Sequence, residues 1–112
     1  MKLIIAVIKP FKIEEVTDAL NALDIPGVTI TEVRGHGRQK GHTEVYRGAE
    51  YRIEYIPKIR LEIVAEDADA NRIAETIMEH ARTGTIGDGK FWIVPVETVG
   101  RIRTGELGSD AL

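Results

Sequence analysis

The chain has no cysteine. Disulfides, thiol nucleophiles and thiolate metal sites are thereby excluded, and an intracellular home fits. Serine occurs once, as Ser109 in a tail expected to fray, so a serine nucleophile lacks a rigid base and orienter. No apolar run approaches the ~20 residues of a membrane-spanning helix. The apolar stretch 3–8 is shorter than the roughly 7–15 residues of a secretory core. Lys9-Pro10 follows it, where a small-residue cleavage site would stand. A cytoplasmic protein is expected. Basic runs are also absent and the net charge is −3, which argues against nucleic acid. At 112 residues the expectation is one domain, 1–112.

What is present alternates between two periodicities. Residues 3–8 are continuously apolar and β-branched, as in a strand buried on both faces. Residues 12–24 carry Ile13, Val16, Leu20 and Leu23 on one helical stripe, with Glu14 and Glu15 in the first turn and Pro26-Gly27 as the stop. Residues 28–34 read as a strand. So do 58–64, where Ile59, Leu61 and Ile63 alternate with Lys58, Arg60 and Glu62 after Pro57. A second helix is expected at about 69–82, capped by Asp67 or Asp69 and ended by Thr83-Gly84. A fourth strand spans 91–96, and a short β-like piece falls at 101–103 before the tail frays.

This order, β-α-β-β-α-β, predicts an α+β ferredoxin-like fold with two helices on one face of a four-stranded sheet. The first and fourth strands are apolar on both sides. The helix-free face therefore either takes a cover, which a homo-oligomer supplies and which is the expectation, or remains a modest exposed patch on a monomer.

Between the second and third strands lies a polar segment, 34–58, far longer than a hairpin turn requires. It carries Gly35, Gly37, Gly41 and Gly48, basic Arg38, Lys40, Arg47 and Arg52, and, among its tyrosines, Tyr46 and Tyr51. Its composition predicts mobility. Residues 84–90, GTIGDGK, match a P-loop as far as Lys90, but Phe91 stands where Ser or Thr would reach magnesium. The order, helix into strand, is also the reverse of a P-loop. Two readings remain: an anion cradle of backbone N–H groups helped by Lys90, or glycines that only permit a tight turn. Arg101 and Arg103, two apart, would share one face of an extended segment and suit a polyphosphate, or would decorate a charged edge. The histidines His36, His42 and His80 show no metal-ligand spacing.

Three blocks carry a resemblance to one family: residues 37–44 continuing through 46–51, residues 83–90, and residues 101–106. Together with the opening Ile8-Lys9-Pro10-Phe11, the chain resembles the PII nitrogen-regulatory signal-transduction proteins over essentially its whole length. The resemblance implies a homotrimeric regulator, not an enzyme, with a regulatory loop at 37–55, a phosphate loop at 83–90 and a C-terminal segment at 101–112. It implies ATP or ADP in clefts between subunits. Gly87, Asp88, Gly89 and Lys90 would cradle phosphates, and Arg101 and Arg103 would approach from a neighbour. Gly37, Arg38 and Gln39 would close the phosphate side, with Thr29, Gly35 and Val64 beside adenine and ribose. It further implies 2-oxoglutarate beside Mg2+ and ATP. Gln39 would serve as metal ligand, Lys58 would pair with a carboxylate, and the backbone of Lys40, Gly41 and Gly87 would donate. Tyr51 would be nucleotidylated, and the partners would be an ammonium transporter or nitrogen-metabolism enzymes. Two positions depart from common family patterns: Ala49 replaces a serine phosphorylated in some relatives, and Thr85 replaces a lysine.

Overall fold

The computed structural model describes residues 1–25, 27–37 and 55–112 in full, and the backbone of 43–46 and 49–52. Strands β1 (Lys2–Ile8), β2 (Thr29–Gly35), β5 (Ile56–Ala65) and β6 (Gly89–Pro95) form one sheet in the order β2-β5-β1-β6. Every neighbouring pair is antiparallel. Helices α1 (Ile13–Ala22) and α2 (Asp67–Ala81) provide the two crossovers. This is the ferredoxin-like arrangement expected from the sequence.

Register explains the layering. Ile4 lies opposite Ile63 and Ile93, Ala6 opposite Leu61, and Ile8 opposite Ile59. These residues face the helices and meet Val16 and Leu20 of α1 and Ile73, Ala74 and Ile77 of α2 in one core. Successive strand residues point to opposite faces. The intervening set, Leu3, Ile5 and Val7 with Lys58, Arg60, Glu62, Val64, Lys90, Trp92 and Val94, therefore lines the face that no helix covers. On this face Ile5 is buried between strands whose opposite residues are Glu62 and Trp92. Arg60 bonds Glu62 at 2.9 Å and lies 5.8 Å from the Trp92 ring centre. The long arms thus shield part of the apolar surface.

Several boundaries differ from expectation, each for a local reason. A 3-10 turn, Pro10–Lys12, precedes α1, because proline fits a first helical turn. The helix ends at Ala22, ahead of Pro26-Gly27: Asp24 adopts φ 57°, and Ile25 N–H reaches back to the Leu20 carbonyl. Asp67 and Asp69 are not caps. Glu66 holds the N-cap position without a side-chain bond, and Asp67, already helical, lies 2.8 Å from the Met1 ammonium. Pro57 does not start β5 but lies inside it, opposite Arg34. β1 ends at Ile8, opposite Ile59, so the ladder on that side asks no N–H of Pro57.

The polar insertion contains structure of its own. Strands β3 (Thr43–Tyr46) and β4 (Ala49–Arg52) form a separate antiparallel pair with Glu44 opposite Tyr51. The expectation of a loop without secondary structure is corrected here. The run 43–46 is rich in β-branched and aromatic types.

The C-terminal segment does not fray, and 101–103 is not extended. Gly105 N–H bonds the Arg101 carbonyl, Arg101 N–H bonds the Glu106 carbonyl, and Gly100 bridges Leu107. A tight turn results, permitted by Gly105 at φ 75°. It is followed by a 3-10 turn, Gly108–Ala111. Among the described residues no helix is long and apolar enough to cross a membrane.

Candidate functional site

The glycine-rich connection after α2 meets β1, β5 and β6 at one end of the sheet. Gly84, Gly87 and Gly89 all have positive φ, at 86°, 95° and 99°. Gly89 is fixed by space as well. A Cβ there would lie 1.7 Å from the Val7 carbonyl oxygen. The loop can approach β1 this closely only without a side chain.

Four charged groups converge here. Lys58, on the open face of β5, is 7% exposed, and its ammonium donates to the Gly87 carbonyl. Burial pushes its pKa down, with the neighbouring Lys9 charge acting in the same direction and Asp88 opposing both. Lys9 follows the last residue of β1 and donates to Thr83 Oγ1 at 3.1 Å and Thr85 Oγ1 at 2.6 Å. It also pairs with Asp88 at 3.0 Å. Asp88 accepts the Thr83 hydroxyl and the N–H groups of Thr83 and Gly84, the latter two at 2.8 Å. The Thr83 hydroxyl first, then the Thr83 N–H, Lys9 and the Gly84 N–H, hold the carboxyl well below the usual carboxylate range against its desolvation. Lys90, next on β6, lies on the open face opposite Val7, and Gly35 packs its Cα beside the stem of Lys58. Gly35, Lys58, Gly87, Asp88, Gly89 and Lys90 are thus brought to one end of the sheet.

The second group of expected residues lies farther along the same face. Thr29, Val64 and Arg101 line a cavity of about 500 Å³ with Leu3, Gly27 and Glu62. This meeting occurs within one chain, whereas the resemblance brings the arginine from a neighbour. The Arg101 guanidinium is held by Glu106 at 3.2 Å and by the Leu112 carbonyl at 2.8 Å. Arg103 is exposed in the turn and does not share a strand face with Arg101. Lys58 and Val64 are six residues apart on β5, about 20 Å at ~3.3 Å per residue. The two groups thus mark the ends of one elongated strip, cationic and glycine-rich at one end and lined at the other by Leu3, Thr29 and Val64 together with the charged Glu62 and Arg101.

Gly37 lies just beyond the end of β2, and among the described residues no atom comes within 4 Å of where its Cβ would stand. Arg38, Gln39, Lys40 and Gly41 lie outside the described residues. Tyr51 is placed by its backbone alone, on β4 opposite Glu44. Among the described residues no three His, Asp or Glu side chains are grouped to hold a metal. His80 instead pairs with Glu15 at 3.3 Å across the two helices. Sequence reading missed Lys9 and Thr83 as parts of this site. The detectable signal was a threonine five residues before an aspartate across a glycine-rich turn.

Fold and site together define a ferredoxin-like α+β domain with a hairpin-bearing insertion and a glycine-rich loop at one sheet end. Residues 1–106 match the family model described as nitrogen regulatory protein P-II. The chain is 56% identical to the nitrogen regulatory protein P-II of Azospirillum brasilense. It is 55% identical to that of Pasteurella multocida and 54% identical to that of Rhodospirillum rubrum. Each alignment spans 100% of both chains. The chain belongs to the P-II family of nitrogen regulatory proteins, and its role is in nitrogen signalling.

Proposed function

We propose that the chain is a homotrimeric cytoplasmic sensor, not an enzyme, that binds ATP or ADP and 2-oxoglutarate. Its loop at 37–55 passes ligand occupancy to an ammonium transporter or to enzymes of nitrogen metabolism. One observation carries this reading: Thr29, Lys58, Val64 and Lys90 share the open face of the sheet, which is cationic and glycine-rich at one end and forms a cavity of mixed lining, with Leu3 and Val64 beside Thr29, Glu62 and Arg101, at the other. A nucleotide is anionic at one end and carries a flat base with polar edges at the other. Lys58 and Lys90 supply positive charge where phosphates or a dicarboxylate would lie, and the cavity at Thr29 and Val64 suits a base.

The donor set fits the proposed ligands. A buried ammonium such as that of Lys58 attracts a carboxylate more strongly than a fully hydrated one. Backbone N–H groups of a glycine-rich turn bind anions, and here those of Thr83 and Gly84 are already taken by Asp88, which leaves the N–H groups further along the turn for a ligand. Gln39 offers an amide oxygen, a hard donor of the type Mg2+ accepts, and bound Mg2+ would reduce repulsion between triphosphate and dicarboxylate. Gln39 and Lys40 come early in the sequence of the insertion, so a ligand that they held would shift its conformational ensemble. A coupling of ~1–3 kcal/mol, about 5–150-fold, is sufficient to switch a partner. The apolar open face is the surface for trimer assembly. Nucleotidylation of Tyr51 adds bulk and a phosphodiester charge of about −1 to the hairpin, which opposes insertion into a narrow partner.

Calorimetry with ATP, Mg2+ and 2-oxoglutarate tests the proposal. Binding of 2-oxoglutarate is expected only with Mg2+ and ATP present, and Gln39→Ala should remove that dependence while leaving the fold intact. Tight 2-oxoglutarate binding to nucleotide-free protein would overturn it.

A further inference from the structure

The turn at 83–88 is closed by a single carboxylate whose capacity is fully used. An ionised carboxylate offers about four acceptor positions. At Asp88, Oδ2 takes the N–H groups of Thr83 and Gly84, and Oδ1 takes the Thr83 hydroxyl and the Lys9 ammonium. Lys9 in turn spends its donors on Asp88, Thr83 and Thr85. Nothing on this carboxylate is left to offer an incoming ligand. A phosphate brought into contact with it would meet repulsion between like charges.

We propose that Lys9, Thr83 and Asp88 form a positioning clamp that shapes the glycine-rich loop before any ligand arrives, with Asp88 acting on the loop and not on the ligand. The proposal rests on reading this loop as a phosphate site. Lys9 directly follows β1, an inner strand paired with both β5 and β6, so the clamp ties the loop to the interior of the sheet. Thr83 works twice, through its hydroxyl and its N–H, and orients the chain as it leaves α2. The loop glycines are left with φ values that an L side chain rarely adopts. Pre-forming this shape lowers the ordering cost that an anion would otherwise meet on binding.

The test combines amide hydrogen exchange on ligand-free protein with calorimetric titration of ADP. Asp88→Asn and Thr83→Val should each accelerate exchange at the 83 and 84 amides and weaken ADP binding about tenfold, as expected on losing hydrogen bonds to a charged group. The double variant should be no weaker than the worse single variant, because the residues act as a unit. Thr83→Ser, which keeps the hydroxyl, should restore both readouts. Weaker ADP binding by Asp88→Asn with unchanged exchange would make Asp88 a direct ligand contact and overturn the clamp. Faster exchange with unchanged ADP affinity would overturn its link to binding. If the wild-type protein bound no ADP, the proposed function would fail, while the exchange data would still decide whether the clamp shapes the loop. Should Asp88→Asn unfold, the Thr83→Val and Thr83→Ser pair decides the same question.

Discussion

Replacing Gly89 with alanine should be among the most damaging single-methyl changes this chain can suffer. The new Cβ would lie 1.7 Å from the Val7 carbonyl oxygen and 2.8 Å from its carbon. Both are backbone atoms of a central strand, so no rotamer change relieves the clash. β6 would have to lift from β1, opening the ladder where Gly89 lies opposite Ile8. The backbone at φ 99° adds strain of about 1–3 kcal/mol for a residue with a side chain. Overpacking against an immovable neighbour adds about 1–3 kcal/mol. The sum, roughly 2–6 kcal/mol, is a large part of the ~5–15 kcal/mol available to a small domain. Gly84→Ala is the matched control, because Gly84 has φ 86° but nothing within 4 Å of its Cβ position. It should show the strain alone. Urea unfolding followed by circular dichroism, at equal chain concentration to hold any assembly constant, measures both variants. If the two unfolding free energies fell within about 0.5 kcal/mol of each other, the clash would be refuted.

Other outcomes follow from the same structure. Leu61→Ala, at a fully buried position on β5, should cost about 2–5 kcal/mol in the same unfolding assay. Asp88 has a folded-state pKa below its unfolded value, so its contribution to stability is complete above the ordinary carboxylate pKa, ~3.9, and is lost as pH falls below that value. Stability should therefore fall more steeply for wild type than for Asp88→Asn as pH is lowered from about 4 to about 2. Lys58 must be charged to hold a carboxylate, and its pKa lies below its ordinary 10.5. In the presence of Mg2+ and ATP, 2-oxoglutarate affinity should accordingly decline as pH rises through that lowered value, and Lys58→Gln should be weak throughout and lose the pH dependence. Tyr51→Phe removes the hydroxyl that would accept a nucleotide; a full-strength radiolabel on this variant would move the modification elsewhere.

Clear alternation made the sheet legible: Ile59, Leu61 and Ile63 against Lys58, Arg60 and Glu62 predicted which side of β5 meets the helices. The helical stripe likewise anticipated Val16 and Leu20, both buried. Features that depend on partners distant in sequence were not legible. The place of Pro57 within a strand depends on where β1 stops, and the bond between Asp67 and Met1 depends on the fold bringing the N-terminus to α2. The spacing of Arg101 and Arg103 presumed an extended chain, whereas the Gly105 turn separates their roles. At the candidate site, Gly87 to Lys90 stood out by composition. Lys9 did not, because its partners, Thr83, Thr85 and Asp88, come together only once β1 and β6 are paired.

The chain has one tryptophan, and the fold places it on the helix-free face of β6, half-buried, with Arg60 over its ring. The protein therefore carries its own optical probe of that surface. Covering the face with another chain would strip water from the indole and alter the environment of the guanidinium above it, shifting emission towards the blue. Diluting the protein while following this emission would reveal, without any label, when the sheets part.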